Sequence, residues 1–221
     1  MENVILSARD IQKSFGSLEV LKGIDIDIYE KEIVSIMGKS GSGKSTLLQI
    51  LGTLDDKDNG SLRINNQDID KLNKKEIAKF RNQKVGFIFQ FHHLLNEFTA
   101  IENVLIPAYI AKESSGFYKE KAKELLDYLG LSERFDHKPG QLSGGEKQRV
   151  AVARALINEP VIIFADEPSG NLDQENSEEL HRLFEKMRDD FSQSFVVVTH
   201  NNEIGKMSDR ILMMQDGLIK H

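Results

Sequence analysis

The sequence predicts an α/β fold with a mostly parallel sheet, an N-terminal antiparallel β subdomain and an inserted α-helical subdomain. Three short apolar runs, at 32–38, 161–167 and 195–200, each end abruptly in polar residues. Their length and β-branched content are typical of buried strands in a parallel sheet covered by helices. In such sheets, ligands bind at the carboxyl ends of the strands, so the residues after these runs are expected to lie at one edge.

The other two parts of the fold follow from different periodicities. Apolar and polar residues alternate through the first 30 positions, which predicts antiparallel strands with a turn at Gly16 and Ser17. Asp216 and Gly217 lie between apolar flanks and predict a C-terminal hairpin. Between 100 and 157 the spacing is helical, and Gly130 is a plausible helix stop. We expect one domain over 1–221, with a β core at 1–90 and 158–221 and a helical subdomain at about 91–157.

Composition narrows the class of protein. The chain has 221 residues, 39% of them hydrophobic and 29% charged, and no run approaches the roughly 18 apolar residues of a membrane span. The start has no secretion signal pattern, and the absence of cysteine fits a reducing cytosol. A net charge of -6 argues against a nucleic-acid partner. The basic run 71–84 predicts a solvated amphipathic helix, with a membrane-facing or partner-facing patch as the alternative.

A phosphate-binding loop follows the first apolar run. Gly38 to Ser45 fits the pattern G-x-x-x-x-G-K-[ST] between a predicted strand and a predicted helix. Backbone N–H groups of such a loop surround the β-phosphate, the lysine reaches the β- and γ-phosphates, and the serine hydroxyl binds Mg²⁺. The alternative is a simple glycine-rich turn. The candidate nucleotide contacts here are Gly38, Lys39, Ser40, Gly41, Ser42, Gly43, Lys44, Ser45 and Thr46.

Acidic and basic side chains follow the other two runs. Asp166 ends the second run and is the natural carboxylate partner for a Mg²⁺ ion held by Ser45. Glu167 would then face the γ-phosphate and polarise a water molecule as general base. The alternative is that both acids only cap a helix beyond Pro168. His200 ends the third run, and a structural hydrogen bond is the competing interpretation of this residue.

A second glycine-rich segment, QLSGGEKQR, occupies 141–149. Ser143 and Glu146 have the capping-box spacing, so a helix is expected to start here and run to about Asn158. A cap does not require Gly144 and Gly145, each of which lowers helix propensity by up to about 1 kcal/mol relative to alanine. Small residues suit a helix N-terminus that an anion approaches closely, so the segment predicts a second phosphate site.

Taken in order along the whole chain, these motifs resemble those of the nucleotide-binding subunit of an ABC transporter. Gly38 to Ser45 resembles that family's Walker A motif, Gln90 its Q-loop, Leu142 to Glu146 its signature, and Asp166 with Glu167 its Walker B pair. Asn171 to Asp173 resembles its D-loop and His200 its switch histidine. Phe15 occupies the position of the aromatic residue that stacks on adenine, where tyrosine is more usual.

The resemblance implies a homodimer that encloses two ATP molecules, each between the Walker A motif of one copy and the signature of the other. Phe15, Gln90, Ser143, Gly144, Gly145 and Asp173 would then join the loop in binding nucleotide. Ser45, Gln90 and Asp166 would bind Mg²⁺. Lys44, Glu167 and His200 would act in hydrolysis, which would reopen the dimer and move attached membrane subunits.

A narrower resemblance comes from two segments, 81–104 and 166–173. Both are similar to the ATPase of the lipoprotein-releasing (Lol) system and to the related macrolide-exporter and cell-division group. The FHHLL segment after Gln90 favours the Lol type, although Ser169 replaces a more usual threonine. The apolar residues Phe91, Leu94, Leu95 and Phe98 predict either a groove for a permease segment, docking near Gln90 to Phe98, or core of the helical subdomain.

The function expected from the resemblance is ATP hydrolysis that drives an inner-membrane complex to release lipoproteins, with the subunit held on the cytoplasmic side by its membrane partners. A macrolide-type exporter or a cell-division complex regulating cell-wall hydrolases is the alternative. A P-loop small-molecule kinase is the alternative from another class, but the segment at 141–149 and His200 argue against it.

Overall fold

The computed structural model describes residues 3–112, 116–200, 205 and 207–220. It contains two sheets. The first has four antiparallel strands in the order β2-β1-β4-β5, and the second has six strands in the order β10-β9-β3-β8-β7-β6, parallel except for the β9–β10 pair. The strands are β1 (Val4–Phe15), β2 (Leu18–Tyr29), β3 (Ile33–Met37), β4 (Asn59–Ile64), β5 (Gln67–Asp68), β6 (Val85–Phe89), β7 (Ile162–Asp166), β8 (Ser194–Val198), β9 (Arg210–Gln215) and β10 (Leu218–Lys220).

Helices cover both faces of the six-stranded sheet. They are α1 (Lys44–Leu51), α2 (Lys74–Lys84), α3 (Ala100–Ile110), α4 (Gly116–Tyr128), α5 (Gly144–Leu156) and α6 (Gln174–Phe191). The described part of the chain contains no helix long and apolar enough to cross a membrane.

The period-two geometry of the strands assigns their side chains to two separate cores. In β8, Phe195 and Val197 belong to the core under α3 to α6, whereas Val196 and Val198 belong to the core shared with α1 and the antiparallel sheet. The same alternation holds in β7. Successive side chains of a strand point to opposite faces, so a strand buried on both sides is a continuous apolar run. The α/β fold with an N-terminal antiparallel sheet is therefore confirmed.

Local predictions of turns and helix ends agree with the structure within two residues. The first hairpin turns at Gly16 and Ser17, the last at Asp216 and Gly217, and Gly130 has a left-handed φ of 73° just beyond the end of α4. The helix expected to reach about Asn158 ends at Leu156. The basic run forms α2, a helix with no buried residue whose Ile77 and Phe80 lie partly buried against the core.

Strands β4, β5 and β6 were not predicted from the sequence. The segment of β6, VGFIF, follows the helical, lysine-rich α2 directly, and its Gly86 weakens a strand pattern. Gly86 is nevertheless required, because a Cβ there would lie 2.9 Å from the carbonyl oxygen of Ala155 in α5. β6 pairs with β7 so that Phe89 lies beside Asp166, which brings Gln90 to the same sheet edge.

Candidate functional site

The phosphate-binding loop connects β3 to α1 as predicted. Gly43 precedes α1 with a φ of 100°, and no side chain caps the helix start. A Cβ on Gly43 would lie 3.0 Å from the carbonyl oxygen of Val20, so both its conformation and its surroundings require glycine. Lys44 Nζ donates to the carbonyl oxygens of Gly38 and Lys39 at 2.9 and 3.0 Å. The loop thus curls around its own lysine and leaves the N–H groups of the helix start uncapped.

The hydroxyl and the carboxylate expected to share a cation lie in contact. Ser45 Oγ donates to Asp166 Oδ1 at 3.0 Å, across 121 positions of sequence. Burial raises the pKa of Asp166, and the hydrogen bond from Ser45 acts in the opposite direction. This pair presents hard oxygen donors of the kind that Mg²⁺ prefers. No cluster of three or more His, Cys, Asp and Glu side chains suited to a metal occurs among the described residues.

Glu167 and His200 meet at the ends of β7 and β8. His200 Nδ1 lies 2.8 Å from Glu167 Oε1, and the Glu167 side chain is 21% exposed whereas His200 is 75% exposed. Glu167 has a left-handed φ of 47°, and its N–H donates to the carbonyl oxygen of Val198 at 2.9 Å. A non-glycine residue in this conformation costs energy, and the surrounding strands hold it there. The two acids do not cap a helix, because α6 begins only at Gln174, with Asp173 as its cap.

A single cleft of about 720 Å³ joins these residues to the expected adenine position. Phe15, 54% exposed, lies at one side of this cleft, and Lys13 Nζ lies 5.3 Å from its ring centroid. The lining consists of Phe15, Leu18, Val20, Ser40, Gly41, Gly43, Lys44, Ser45, Thr46, Glu167 and His200. An aromatic face, a phosphate-binding loop and a carboxylate–histidine pair therefore share one cavity.

The second glycine-rich segment starts α5 and lies outside this cleft. Ser143 Oγ accepts from the N–H of Glu146 at 3.2 Å, and the N–H of Ser143 donates to Glu146 Oε2 at 2.7 Å, which completes the capping box. The backbone hydrogen bond from Ser143 lowers the pKa of Glu146. Ser143 and Gly144 are exposed and Gly145 is buried, and none of the three lines the described cleft.

The two glycines differ in their packing within the chain. A Cβ on Gly145 would overlap Asn176 Oδ1 at the start of α6, and Asn176 cannot swing away freely because its Nδ2 donates to Asp173 Oδ1 at 2.8 Å. Gly145 is therefore explained within one chain. A Cβ on Gly144 would meet only Leu172 Cδ2, at 3.9 Å. Of the two, Gly144 therefore has no packing reason to be glycine among the residues that the structure describes.

Alanine substitutions separate these causes. We expect Gly145→Ala to destabilise the chain by about 1–2 kcal/mol, because Asn176 must give up its bond to Asp173 or overpack. Gly144→Ala, the matched control in the same helical turn, should leave stability unchanged or raise it by up to about 1 kcal/mol. Urea unfolding of the nucleotide-free chain measures both. Equal effects of the two substitutions would contradict the assignment.

Gln90 and Asp173 lie near the site but in other hydrogen bonds. Gln90 Nε2 donates to Asn171 Oδ1 at 3.2 Å, and Asn171 Nδ2 donates to the carbonyl oxygen of Gln90 at 3.0 Å. The described side chain of Gln90 makes no hydrogen bond to Ser45 or Asp166. Asp173 caps α6 by accepting from the N–H of Asn176 at 2.9 Å, and this backbone hydrogen bond lowers its pKa. Asp173 thus lies on the segment that follows Glu167, and Gln90 lies beside that segment through its bonds to Asn171.

A model of the family described as ABC transporter matches residues 21–170. The chain belongs to the ABC transporter family. It is an ATP-binding, ATP-hydrolysing subunit of that family, and its mixed sheet, phosphate-binding loop and antiparallel sheet are those of an ABC cassette.

Relatives and solved structures of this ABC ATPase cover almost its whole length. The lipoprotein-releasing system ATP-binding protein LolD of Cytophaga hutchinsonii is 58% identical over 97% of this chain and 98% of its own. The protein of the same name from Porphyromonas gingivalis is 59% identical over 98% of this chain and 99% of its own. A solved dimeric ATP-binding cassette, in a post-hydrolysis state with ADP and Pi, has a TM-score of 0.88 and 40% identity over 98% of this chain and 97% of its own.

Sequence reasoning missed several contacts around the site of this ABC ATPase. Asn171 was placed in a motif, but its reciprocal bonds to Gln90 were not expected, and Asn176 under Gly145 was not singled out. Two polar side chains in the helices, the buried Asn103 and the partly buried Arg154, were also not predicted to make such contacts. A polar residue within an apolar helical stretch, such as Asn103 in AIENVLIPAYI, is a signal that could have identified such contacts.

Proposed function

We propose that this ABC ATPase forms a homodimer around two Mg-ATP and drives an inner-membrane complex that releases lipoproteins from the membrane. Lipoprotein release rests on the two relatives described above, whose names carry that function and whose length this chain matches almost completely. We propose a dimer because the exposed start of α5 lies outside the chain's own nucleotide cleft.

The dimer proposal assigns each half of the site to a different copy. The core, 1–90 and 158–221, would supply the phosphate-binding loop, and the helical subdomain, about 91–157, would supply Ser143, Gly144 and Gly145 to the nucleotide of the other copy. The open space over Gly144 suits a phosphate at the positive end of α5. Asp173, at the start of α6 beside Gly145, would face the same interface. The dimeric cassette with ADP and Pi supports this arrangement.

The residues in and beside the cleft would bind different parts of Mg-ATP. Phe15 would stack on the adenine ring, and the backbone of Gly38 to Thr46 would surround the phosphates. Lys44, which now bonds to two carbonyl oxygens of its own loop, would transfer its donors to the β- and γ-phosphates. Ser45 and Asp166 would bind Mg²⁺, with Gln90 joining them after release from Asn171. The metal, when bound, supplies charge neutralisation at the phosphate oxygens.

Hydrolysis requires a base that is held still and a water molecule that is held near it. Asp166 bonds to Ser45 and Glu167 bonds to His200, so the two adjacent acids have different partners and can take different roles. We assign Glu167 to accept the proton of the attacking water. His200 bonds to Glu167 Oε1 and would orient that carboxylate toward the γ-phosphate. Product release would remove the shared ligand and let the dimer open.

A groove beside Gln90 is the proposed contact with the permease, which would hold the ATPase on the cytoplasmic side of the membrane. It has a volume of about 490 Å³ and lies between α2, β6 and α3. Its lining includes Arg81, Phe87, Phe89, Pro107, Ile110 and Asn158. Phe91, Leu95 and Phe98 are 66%, 46% and 42% exposed, whereas Leu94 packs against the helical core. Three of the apolar residues after Gln90 are therefore exposed to a partner, whereas Leu94 belongs to the core of the helical subdomain.

Reconstitution tests the proposal. The ATPase is purified with its native membrane partners and placed in vesicles that contain lipoproteins, and we expect ATP-dependent release of lipoprotein to an added acceptor. ADP is the matched control. Release that proceeds equally with ADP, or ATP turnover without any release, would reject lipoprotein release while leaving the ATPase intact. Transport of macrolides or activation of a cell-wall hydrolase by the same complex would favour the related exporter or cell-division functions.

A further inference from the structure

The loop between β6 and α3, residues 90–99, is held by two polar side chains from the helices around it. Asn103 is fully buried in α3 and its Nδ2 donates to the carbonyl oxygens of Leu95, Phe98 and Thr99 at 3.1, 3.2 and 2.9 Å. Its Oδ1 accepts from the N–H of Leu95 at 2.8 Å. Both polar atoms of the Asn103 side-chain amide are thus hydrogen-bonded to the loop, and they fix the loop to the start of α3.

The second clamp is Arg154, in the last turn of α5. Its Nη1 donates to the carbonyl oxygen of His93 and its Nη2 to that of His92, both at 2.7 Å. No carboxylate pairs with Arg154 within the described ranges. Burial lowers the pKa of its guanidinium, and the two carbonyl oxygens are the compensation that the structure shows. His93 has a left-handed φ of 49°, so the loop backbone bends to present both carbonyls to one arginine.

These contacts join the loop to the helix that starts at the second phosphate site. Ser143 caps α5 and Arg154 lies 11 positions further along, about 16 Å at the rise of an α-helix. Such a helix moves as a rigid rod, because its backbone bonds and its buried face hold it together. The loop is joined to α5 in two ways, because α3 and α5 share one core and Arg154 binds the backbone of the loop directly. Arg154 is the hydrogen-bonded link through which a displacement of the loop backbone reaches the helix of Ser143 and Gly144.

We propose that Arg154 is a positioning residue that couples the permease-facing loop to the signature helix, so that contact with a membrane partner changes ATP turnover through the guanidinium fork. The proposal rests on the proposed function, because it requires the exposed residues Phe91, Leu95 and Phe98 to meet that partner. The fork matters, since a guanidinium holds two acceptors in fixed geometry whereas an ammonium is a single point charge on a shorter reach.

The test measures stimulation of ATPase activity by the membrane partners. Wild type, Arg154→Gln and Arg154→Lys are assayed as the isolated ATPase and as the complete complex in vesicles. Arg182→Gln, which removes the same charge from the exposed surface of α6, is the matched control. We expect Arg154→Gln to keep the isolated turnover and the KM for ATP but to lower the stimulated increment about tenfold. Arg154→Lys should be intermediate and Arg182→Gln unchanged.

A purely structural role of Arg154 would lower thermal stability and the amount of folded complex without altering the ratio of stimulated to isolated turnover. Full stimulation in either folded Arg154 variant overturns the proposal, and Arg154→Lys decides it if Arg154→Gln does not fold. Failure of the wild-type complex to respond to its membrane partners would instead reject the proposed function. The two failures are distinguished by the wild-type measurement alone.

Discussion

Replacing Glu167 with glutamine is expected to lower ATP turnover by about 10²- to 10⁴-fold while leaving ATP binding intact. The amide has the shape of the carboxylate but cannot accept a proton from water. It also removes a negative charge beside the γ-phosphate, so ATP should stay bound. In the proposed dimer ATP would join the two copies and hydrolysis would separate them, so the variant should accumulate as a closed dimer.

Turnover is measured by phosphate release, and the closed dimer by size-exclusion chromatography with ATP present. Glu124→Gln is the control, because it removes an equivalent charge from an exposed position on α4. It should behave as wild type in both assays. Wild-type turnover of Glu167→Gln would exclude Glu167 as the general base and leave His200 as the next residue to test.

Gly144→Asp is expected to abolish hydrolysis in the site whose phosphate-binding loop belongs to the other copy. The new carboxylate would occupy the open space over the start of α5 and repel a phosphate there. The folded chain itself should tolerate the change, because the space around Gly144 is open and an acidic residue suits the first turn of a helix. The expected damage is therefore confined to the assembled dimer.

Mixed dimers that also carry Lys44→Ala distinguish the copies. With both substitutions in one chain, each of the two composite sites loses one component, and neither should retain ATP. With the substitutions in opposite chains, both defects fall in one site and the other remains intact. On a Glu167→Gln background, retained nucleotide per dimer should thus be near zero in the first arrangement and near one in the second. The reverse pattern would place the glycine and the lysine of one chain in the same site.

The sequence predicted those parts of the site in which spacing along the chain and chemistry coincide. Gly38 to Ser45 lies between a strand and a helix, and Ser143 and Glu146 form the expected capping box. Asp166, Glu167 and His200 each end a buried strand, and the geometry of a parallel sheet brings such ends together. These inferences need only local periodicity and one rule about sheet edges, so they could be made without coordinates.

The remaining features depend on contacts between segments that no local pattern connects. Gly145 is explained by Asn176, a residue 31 positions away on another helix. Asn171 holds Gln90 across 81 positions, and Arg154 holds carbonyl groups 61 and 62 positions away. Every residue has a backbone carbonyl group, whatever its side chain. When an arginine binds carbonyl groups, the sequence therefore contains no complementary side chain that would reveal the contact. β6 was missed for a related reason, since its pairing with β7 decides its conformation.

The close packing of Gly145 on Asn176 has a mechanical consequence. Because no Cβ separates them, the first turn of α5 and the first turn of α6 form one stiff corner, braced by the bond from Asn176 to Asp173. The short stretch from Glu167 to Asp173 links that corner to Glu167, the proposed general base of the same chain. A tilt of the first turn of α5 would therefore displace the segment that carries Glu167. In a dimer, each subunit would in this way couple the nucleotide site that contains its own Glu167 to the site that contains its Gly144.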